Sequence, residues 1–139
     1  MIGQGVNPEG LQPEYRAMTQ QETMPEMLPE MLEQLYAAVS PDGPEHWDVV
    51  KDKLWQLYRT EPNLALSELA RVLAPTLLII AEHDIPTVEH AQAMQQALPD
   101  ARLQVVPDAT HALPIEQPKE VSRLVLDFLA APEGSSADA

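Results

Sequence analysis

A chain of 139 residues can enclose one hydrophobic core and is too short for a large multidomain enzyme. Its 22 acidic and 8 basic residues leave a formal charge of −14, divided as 12 against 5 before Pro75 and 10 against 3 from there on. That field repels phosphate backbones and anionic lipid, so neither nucleic acid nor a membrane is an expected partner. The absence of cysteine excludes disulfides, thiolate metal sites and a thiol nucleophile. No apolar run approaches the roughly 18 residues of a membrane span. Met1-Ile2-Gly3-Gln4-Gly5 lacks the basic and apolar regions of a signal peptide, and a cytoplasmic protein is the expectation.

Fourteen prolines divide the chain, because each removes a backbone donor and restricts the residue before it. After a short start, at most a strand over Met1 to Val6, the apolar residues Met24, Met27, Leu28, Met31, Leu32 and Leu35 recur at helical spacing and predict an amphipathic helix with this stripe in the core. The turn Ser40-Pro41-Asp42-Gly43-Pro44 ends it. A second helix places Trp47, Val50, Leu54, Leu57 and Tyr58 on one face, with Trp55 at its border and Asp48, Asp52, Gln56 and Arg59 on the wet side. Asn63 to Val72 reads as a third, shorter one.

At Pro75 helical periodicity gives way to the continuous apolar run Thr76-Leu77-Leu78-Ile79-Ile80-Ala81, which predicts a strand buried on both faces of a parallel sheet. A helix over Glu89 to Leu98, a strand over Arg102 to Val106, a loop from Pro107 to His111 and a helix over Glu116 to Ala130 come next, the last burying Val121, Leu124, Val125 and Phe128. Residues 131–139 carry nothing to build a core and are expected to be a disordered tail. Strand, helix, strand, helix in this order is a βαβα unit of the α/β class, with a short parallel sheet of two to three strands, flanking helices and a helical part before it.

Two polar loops leave the carboxyl ends of the two strands, Glu82-His83-Asp84 and Asp108-Ala109-Thr110-His111, and in parallel α/β sheets reactive groups gather at that edge. A carboxylate and an imidazole arriving from neighbouring strands form a useful pair, because the carboxylate fixes the tautomer and steadies the imidazolium that forms when the histidine acts as base. Ordinary loop hydrogen bonding is the competing reading. His83, Asp84 and His90 invite a metal reading, but no third ligand stands at motif spacing; no metal and no cofactor are expected. His46 reads as a polar residue in the first turn of its helix.

The blocks Ala74-Pro75-Thr76-Leu77-Leu78-Ile79-Ile80-Ala81-Glu82-His83-Asp84-Ile85-Pro86, Leu98 to His111 and Pro118-Lys119-Glu120-Val121 resemble the C-terminal third of α/β-hydrolase-fold enzymes. The resemblance implies that Asp84 is the acid of a catalytic triad and His111 its base. It also implies that residues 1–14 are the remnant of a strand and its exit loop, 15–73 a helical cap, and 74–130 the C-terminal βαβα unit. The family's nucleophile sits on a Gly-x-Ser-x-Gly elbow ahead of the cap, and no such motif occurs here. Ser40 lies in a turn, Ser67 and Ser122 in predicted helices, and Ser135 and Ser136 in the tail. The resemblance therefore implies a truncated hydrolase: a partial fold carrying cap, acid and base for an ester-like or similar acyl substrate, itself small and apolar. The nucleophile is expected from a complementary chain or a homodimer, and the chain alone is expected to be inactive. A non-catalytic protein- or ligand-binding module built on the same fold is the alternative.

Overall fold

The computed structural model describes residues 1–24 and 30–131. In chain order the elements are α1 (Pro13–Met18), α2 (Glu30–Val39), α3 (Trp47–Thr60), β1 (Thr76–His83), α4 (Val88–Ala97), β2 (Ala101–Thr110), α5 (Leu113–Glu116) and α6 (Pro118–Ala130), with 3-10 turns at Pro8–Gly10, Pro44–His46 and Leu66–Arg71. They divide into two compact units, one made of Met1–Gln12 with Asn63–Ala139 and the other of Pro13–Pro62.

The first unit is α/β. β1 and β2 pair in parallel, with Thr76 opposite Ala101 and the register unbroken to Ala81 opposite Val106. A continuous apolar run forms this strand because both of its faces meet helices. On one face Leu77, Ile79 and Ala81 pack with Val106, Ala109 and Leu113 and with Val121 and Leu124 of α6, which shows its predicted buried stripe. On the other, Leu78 joins Met94 and Leu98, together with Val6 and Leu69. The third predicted helix is thus a 3-10 turn whose Leu69 closes this second core.

Two features of this unit depart from the expectation. The start of the chain lies along β1, where Ile79 N–H donates to Met1 O and Gly3 N–H to Ile79 O, each at 2.9 Å. It forms only a single bridge, Ile2 with Ile79, rather than a strand to Val6. The reason is Gly3, whose φ of +59° turns the chain off the strand. Beyond Ala81 the register slips: the next pair is His83 with Thr110, two residues further along β2 than the earlier spacing. β2 therefore runs through Pro107-Asp108-Ala109-Thr110, where a loop is predicted. Asp108 takes φ +51° in this bulge, and its N–H donates to Glu82 Oε2 at 3.1 Å.

The second unit is helical. α3 turns Trp47 and Trp55 inward and leaves Leu57 and Tyr58 half-exposed, correcting the face read from spacing alone. The indoles set that face: they bury the most area and Trp55 has a polar handle, its Nε1–H donating to Gln21 O at 3.1 Å. The Trp47 ring lies 5.3 Å from that of Tyr36 on α2. α2 is described from Glu30; Pro25 and Pro29 lie outside the described residues. Of the expected apolar stripe, Met27 and Leu28 lie outside the described residues, as does the tail beyond residue 131. Met31 and Leu35, each 55 % exposed, and Leu32, less so, are not core.

No helix among the described residues is long and apolar enough to cross a membrane.

Candidate active site

Asp84 follows the end of β1 and is buried, its side chain wholly shielded from solvent. A buried carboxylate must find donors, and this one has three. Ala81 N–H donates to Oδ2 at 3.1 Å and Ile85 N–H to Oδ1 at 2.8 Å, and the ring Nδ1 of His111 lies 2.7 Å from Oδ1. Burial acts to raise the Asp84 pKa, but the hydrogen bond from His111 and the two backbone N–H groups outweigh it and hold the carboxyl below its ordinary range.

His111 comes one residue after β2, and the bulge delivers it. The two residues gained on β2 carry the chain past the end of β1 and across to Asp84. Glu116 at the end of α5 then fixes the approach: its Oε2 accepts from Thr110 N–H at 2.8 Å and its Oε1 from the Thr110 hydroxyl at 2.7 Å. The hydrogen bond to Asp84 raises the His111 pKa, against the opposing effect of its partial burial. With Nδ1 engaged, Nε2 is the nitrogen left to take or give a proton, on a ring whose side chain is 48 % exposed.

The backbone at Gly3 closes over this pair. A Cβ there would stand 3.2 Å from Asp84 Oδ2 and 3.3 Å from His111 Nδ1, so a side chain would press on both partners. Sequence reasoning missed Gly3 and Glu116: neither belongs to a motif, and Gly3 reaches the pair only through the tertiary fold, while Glu116 meets Thr110 across the local turn of α5.

Of the candidate polar residues, the structure brings Asp84 and His111 together and leaves the others apart. His83 is exposed near the end of β1. His90 is buried on α4, where its Nε2 accepts from Val6 N–H at 3.2 Å. His46 ends a 3-10 turn. Among the described residues no serine hydroxyl bonds to His111: Ser40 accepts from Asp42 N–H in its turn, Ser67 sits in the turn Leu66–Arg71, and Ser122 in α6. These residues form an imidazole bonded to a buried carboxylate, with no serine hydroxyl beside it among the described residues.

Known proteins share this arrangement of elements. The chain is 33 % identical over 100 residues to a candidate carbamate hydrolase, RutD, of Acinetobacter baylyi, an alignment covering 70 % of this chain and 36 % of that one. Among solved structures, a candidate non-heme bromoperoxidase, BpoC, of Mycobacterium tuberculosis matches with a TM-score of 0.65 at 17 % identity, over 93 % of this chain and 56 % of that one. A meta-cleavage product hydrolase of Pseudomonas fluorescens matches with a TM-score of 0.62 at 16 % identity, over 92 % and 53 %. The chain thus spans little more than a third of that curated relative's length and about half of each solved chain. The model of the alpha/beta hydrolase family matches residues 3–124, nearly the whole of the two-strand unit and everything between its parts, and on that extent of agreement the chain belongs to the alpha/beta hydrolase family.

Proposed function

We propose that this chain supplies the acid and base of a hydrolase acting on an ester-like or similar acyl substrate, and that the nucleophile comes from a complementary chain or a second copy. The observation that carries the proposal is the 2.7 Å hydrogen bond between His111 Nδ1 and a carboxylate that is buried and saturated with donors. An acid so held does not take up the proton; it keeps the imidazole in the tautomer whose Nε2 is basic.

The reaction proceeds in two halves. A serine hydroxyl of the partner attacks the acyl carbonyl while its proton passes to His111 Nε2, and the imidazolium is steadied by Asp84. The tetrahedral intermediate expels the alcohol, which leaves with the proton from Nε2. Water then attacks the acyl-serine, giving its proton to Nε2, and the acid departs as that proton returns to the serine oxygen. In this reading residues 15–73 correspond to the family's helical cap, and the acyl group of the substrate is small and apolar. The second reading, a silent binding module, is favoured by the want of any serine on His111 among the described residues; a base with nothing to deprotonate has no turnover of its own.

The test uses the full chain alone and mixed with the nucleophile-bearing half of an alpha/beta hydrolase. By itself the chain is expected to show no turnover of an activated ester above background and no labelling by a fluorophosphonate. Mixed, it is expected to gain both, with Asp84→Asn and His111→Ala removing the gain. Stoichiometric labelling of Ser40 or another serine in the chain alone would overturn the proposal. So would turnover in the mixture that survives His111→Ala.

A further inference from the structure

His90 is a buried imidazole to which the mechanism assigns no part. It lies in the first turn of α4, held there by Thr87, whose hydroxyl oxygen accepts from His90 N–H at 3.1 Å. Its ring is enclosed by a segment some eighty residues earlier in the chain. Val6 N–H donates to Nε2 at 3.2 Å. A Cβ on Gly10 would fall 2.2 Å from ring Cδ2 and Cγ, a separation no side chain could occupy, so the backbone at Gly10 lies directly against the imidazole. A Cβ on Gly5 would reach 3.4 Å from Cδ2 and Nε2. Accepting at Nε2 requires the neutral ring with its proton on Nδ1.

The segment clasped in this way is the one that covers the dyad. It starts on β1, turns at Gly3 against Asp84 and His111, passes the imidazole at Val6, and is tied again where Thr87 N–H donates to Gly10 O at 2.8 Å and Gln12 N–H to Ile85 O at 2.9 Å. Between its anchors on β1 and at Gly10 the segment is held at Val6, whose N–H meets the ring nitrogen and whose carbonyl accepts from Leu64 N–H at 2.8 Å, and at Asn7, whose Nδ2 donates to Leu64 O at 3.1 Å; the ring is the side-chain acceptor among these ties.

We propose that neutral His90 is a positioning residue, clasping the Val6–Gly10 loop and through it holding the Gly3 backbone in place over the Asp84–His111 pair. It acts on the dyad without touching it. Protonation would put a donor where Val6 already presents one, and the clasp opens. Burial lowers the His90 pKa and so keeps the ring neutral at ordinary pH; Glu9, on the turn Pro8–Gly10, is the charged group acting on it and draws the proton the other way. This inference deepens the proposed function and shares its dyad, but it is read on the chain by itself, so a failure to reconstitute hydrolysis leaves it standing.

The experiment is amide exchange and imidazole titration by NMR on the full chain. His90→Leu keeps an apolar side chain of similar bulk and loses the acceptor. Loss of one buried hydrogen bond of about 1.4 kcal/mol corresponds to roughly tenfold faster exchange at Val6. Gly3 exchange is expected to quicken with it, and the His111 titration to move down toward the ordinary histidine value. His90→Gln, whose Oε1 can replace Nε2 as acceptor, is expected to restore all three. If His90→Leu leaves Gly3 and His111 at their wild-type behaviour, whatever happens at Val6, the coupling is refuted. Failure of His90→Gln to restore them refutes the role of the acceptor. Should His90→Leu not fold, the wild-type titration decides: the Gly3 amide shift must show a step at His90's own, more acidic midpoint besides the one following His111, and a single step at His111 overturns the proposal.

Discussion

At the scale of single residues the site depends on a position with no side chain. Gly3 combines a φ of +59° with a Cβ direction aimed at both members of the dyad. An alanine there meets two costs, the left-handed backbone, at roughly 1–2 kcal/mol, and displacement of Asp84 or His111. Gly3→Ala is therefore expected to lower stability by about 1–2 kcal/mol in denaturant unfolding and to bring the raised His111 pKa back toward its ordinary value. An unchanged His111 titration would show that the ring does not feel the segment above it. The two polar loops that hold Asp84 and His111 were legible in the sequence because a strand's apolar run ends visibly and the loop after it falls at the sheet's carboxyl edge. The family resemblance, not the spacing, singled out these two residues within them. Gly3 and the Gly10–His90 contact were not legible, because each joins residues far apart in the chain with no periodicity to announce it, and Glu116, though only six residues from Thr110, stands in no motif.

At the scale of elements, burial sorts the helices more sharply than their sequence patterns do. α6 and α2 both carry an apolar stripe, but Val121 and Leu124 of α6 lie in the core while Met31 and Leu35 of α2 lie in the open. Thermal or denaturant unfolding is expected to separate them. Leu124→Ala should cost about 2–3 kcal/mol, as the loss of a buried leucine does, whereas Leu35→Gln should stay within about 0.5 kcal/mol, as at surface positions. Equal costs would mean that α2 buries its stripe. Periodicity reports that a face is apolar and not what covers it. For α3, too, the spacing located the helix and set Trp47 inward, but it left Trp55 at the border and counted Leu57 and Tyr58 inside, whereas Trp55 is buried and the other two are half-exposed. The parallel strands were read correctly up to Val106. Pro107 and Asp108 then look like loop, and only the partner strand keeps them paired.

At the scale of the whole molecule, two histidines pull the stability in opposite directions with pH. His111 has a folded pKa raised by Asp84, so its contribution is complete below the unfolded value of about 6.5 and is lost as pH rises through the higher folded value. His90 has a folded pKa lowered by burial, so its contribution is complete above about 6.5 and is lost as pH falls through the lower folded value. Asp84, held low, keeps its contribution above about 3.9 and loses it in stronger acid. Stability is thus expected to peak near pH 6.5 and to fall on both sides, as measured by unfolding midpoints at constant ionic strength. Asp84→Asn should flatten the alkaline limb, and His90→Leu the acid limb just below about pH 6.5. A profile whose alkaline limb survives Asp84→Asn would mean that the dyad is not formed in solution.

The bulge in β2 separates two tasks that a regular strand would have bound together. Up to Val106, each residue of β2 is committed by its pairing to one face of the sheet, and inserting or removing a residue there would turn the whole buried set outward. Past Ala81 and Val106 that commitment is released: the slip absorbs two residues, and Asp108 accepts a backbone conformation few side chains take. Ala109, inside this stretch, is nonetheless fully buried and packs with Val106 and Leu113, so the slip at Pro107 and Asp108 is taken up without losing the strand's hold on the core. The reach of the imidazole toward Asp84 is thus set by an irregular arm with a buried pin on either side of it, Ala109 before the ring and Leu113 after, so the bulge gives the arm its length and the core gives it its aim.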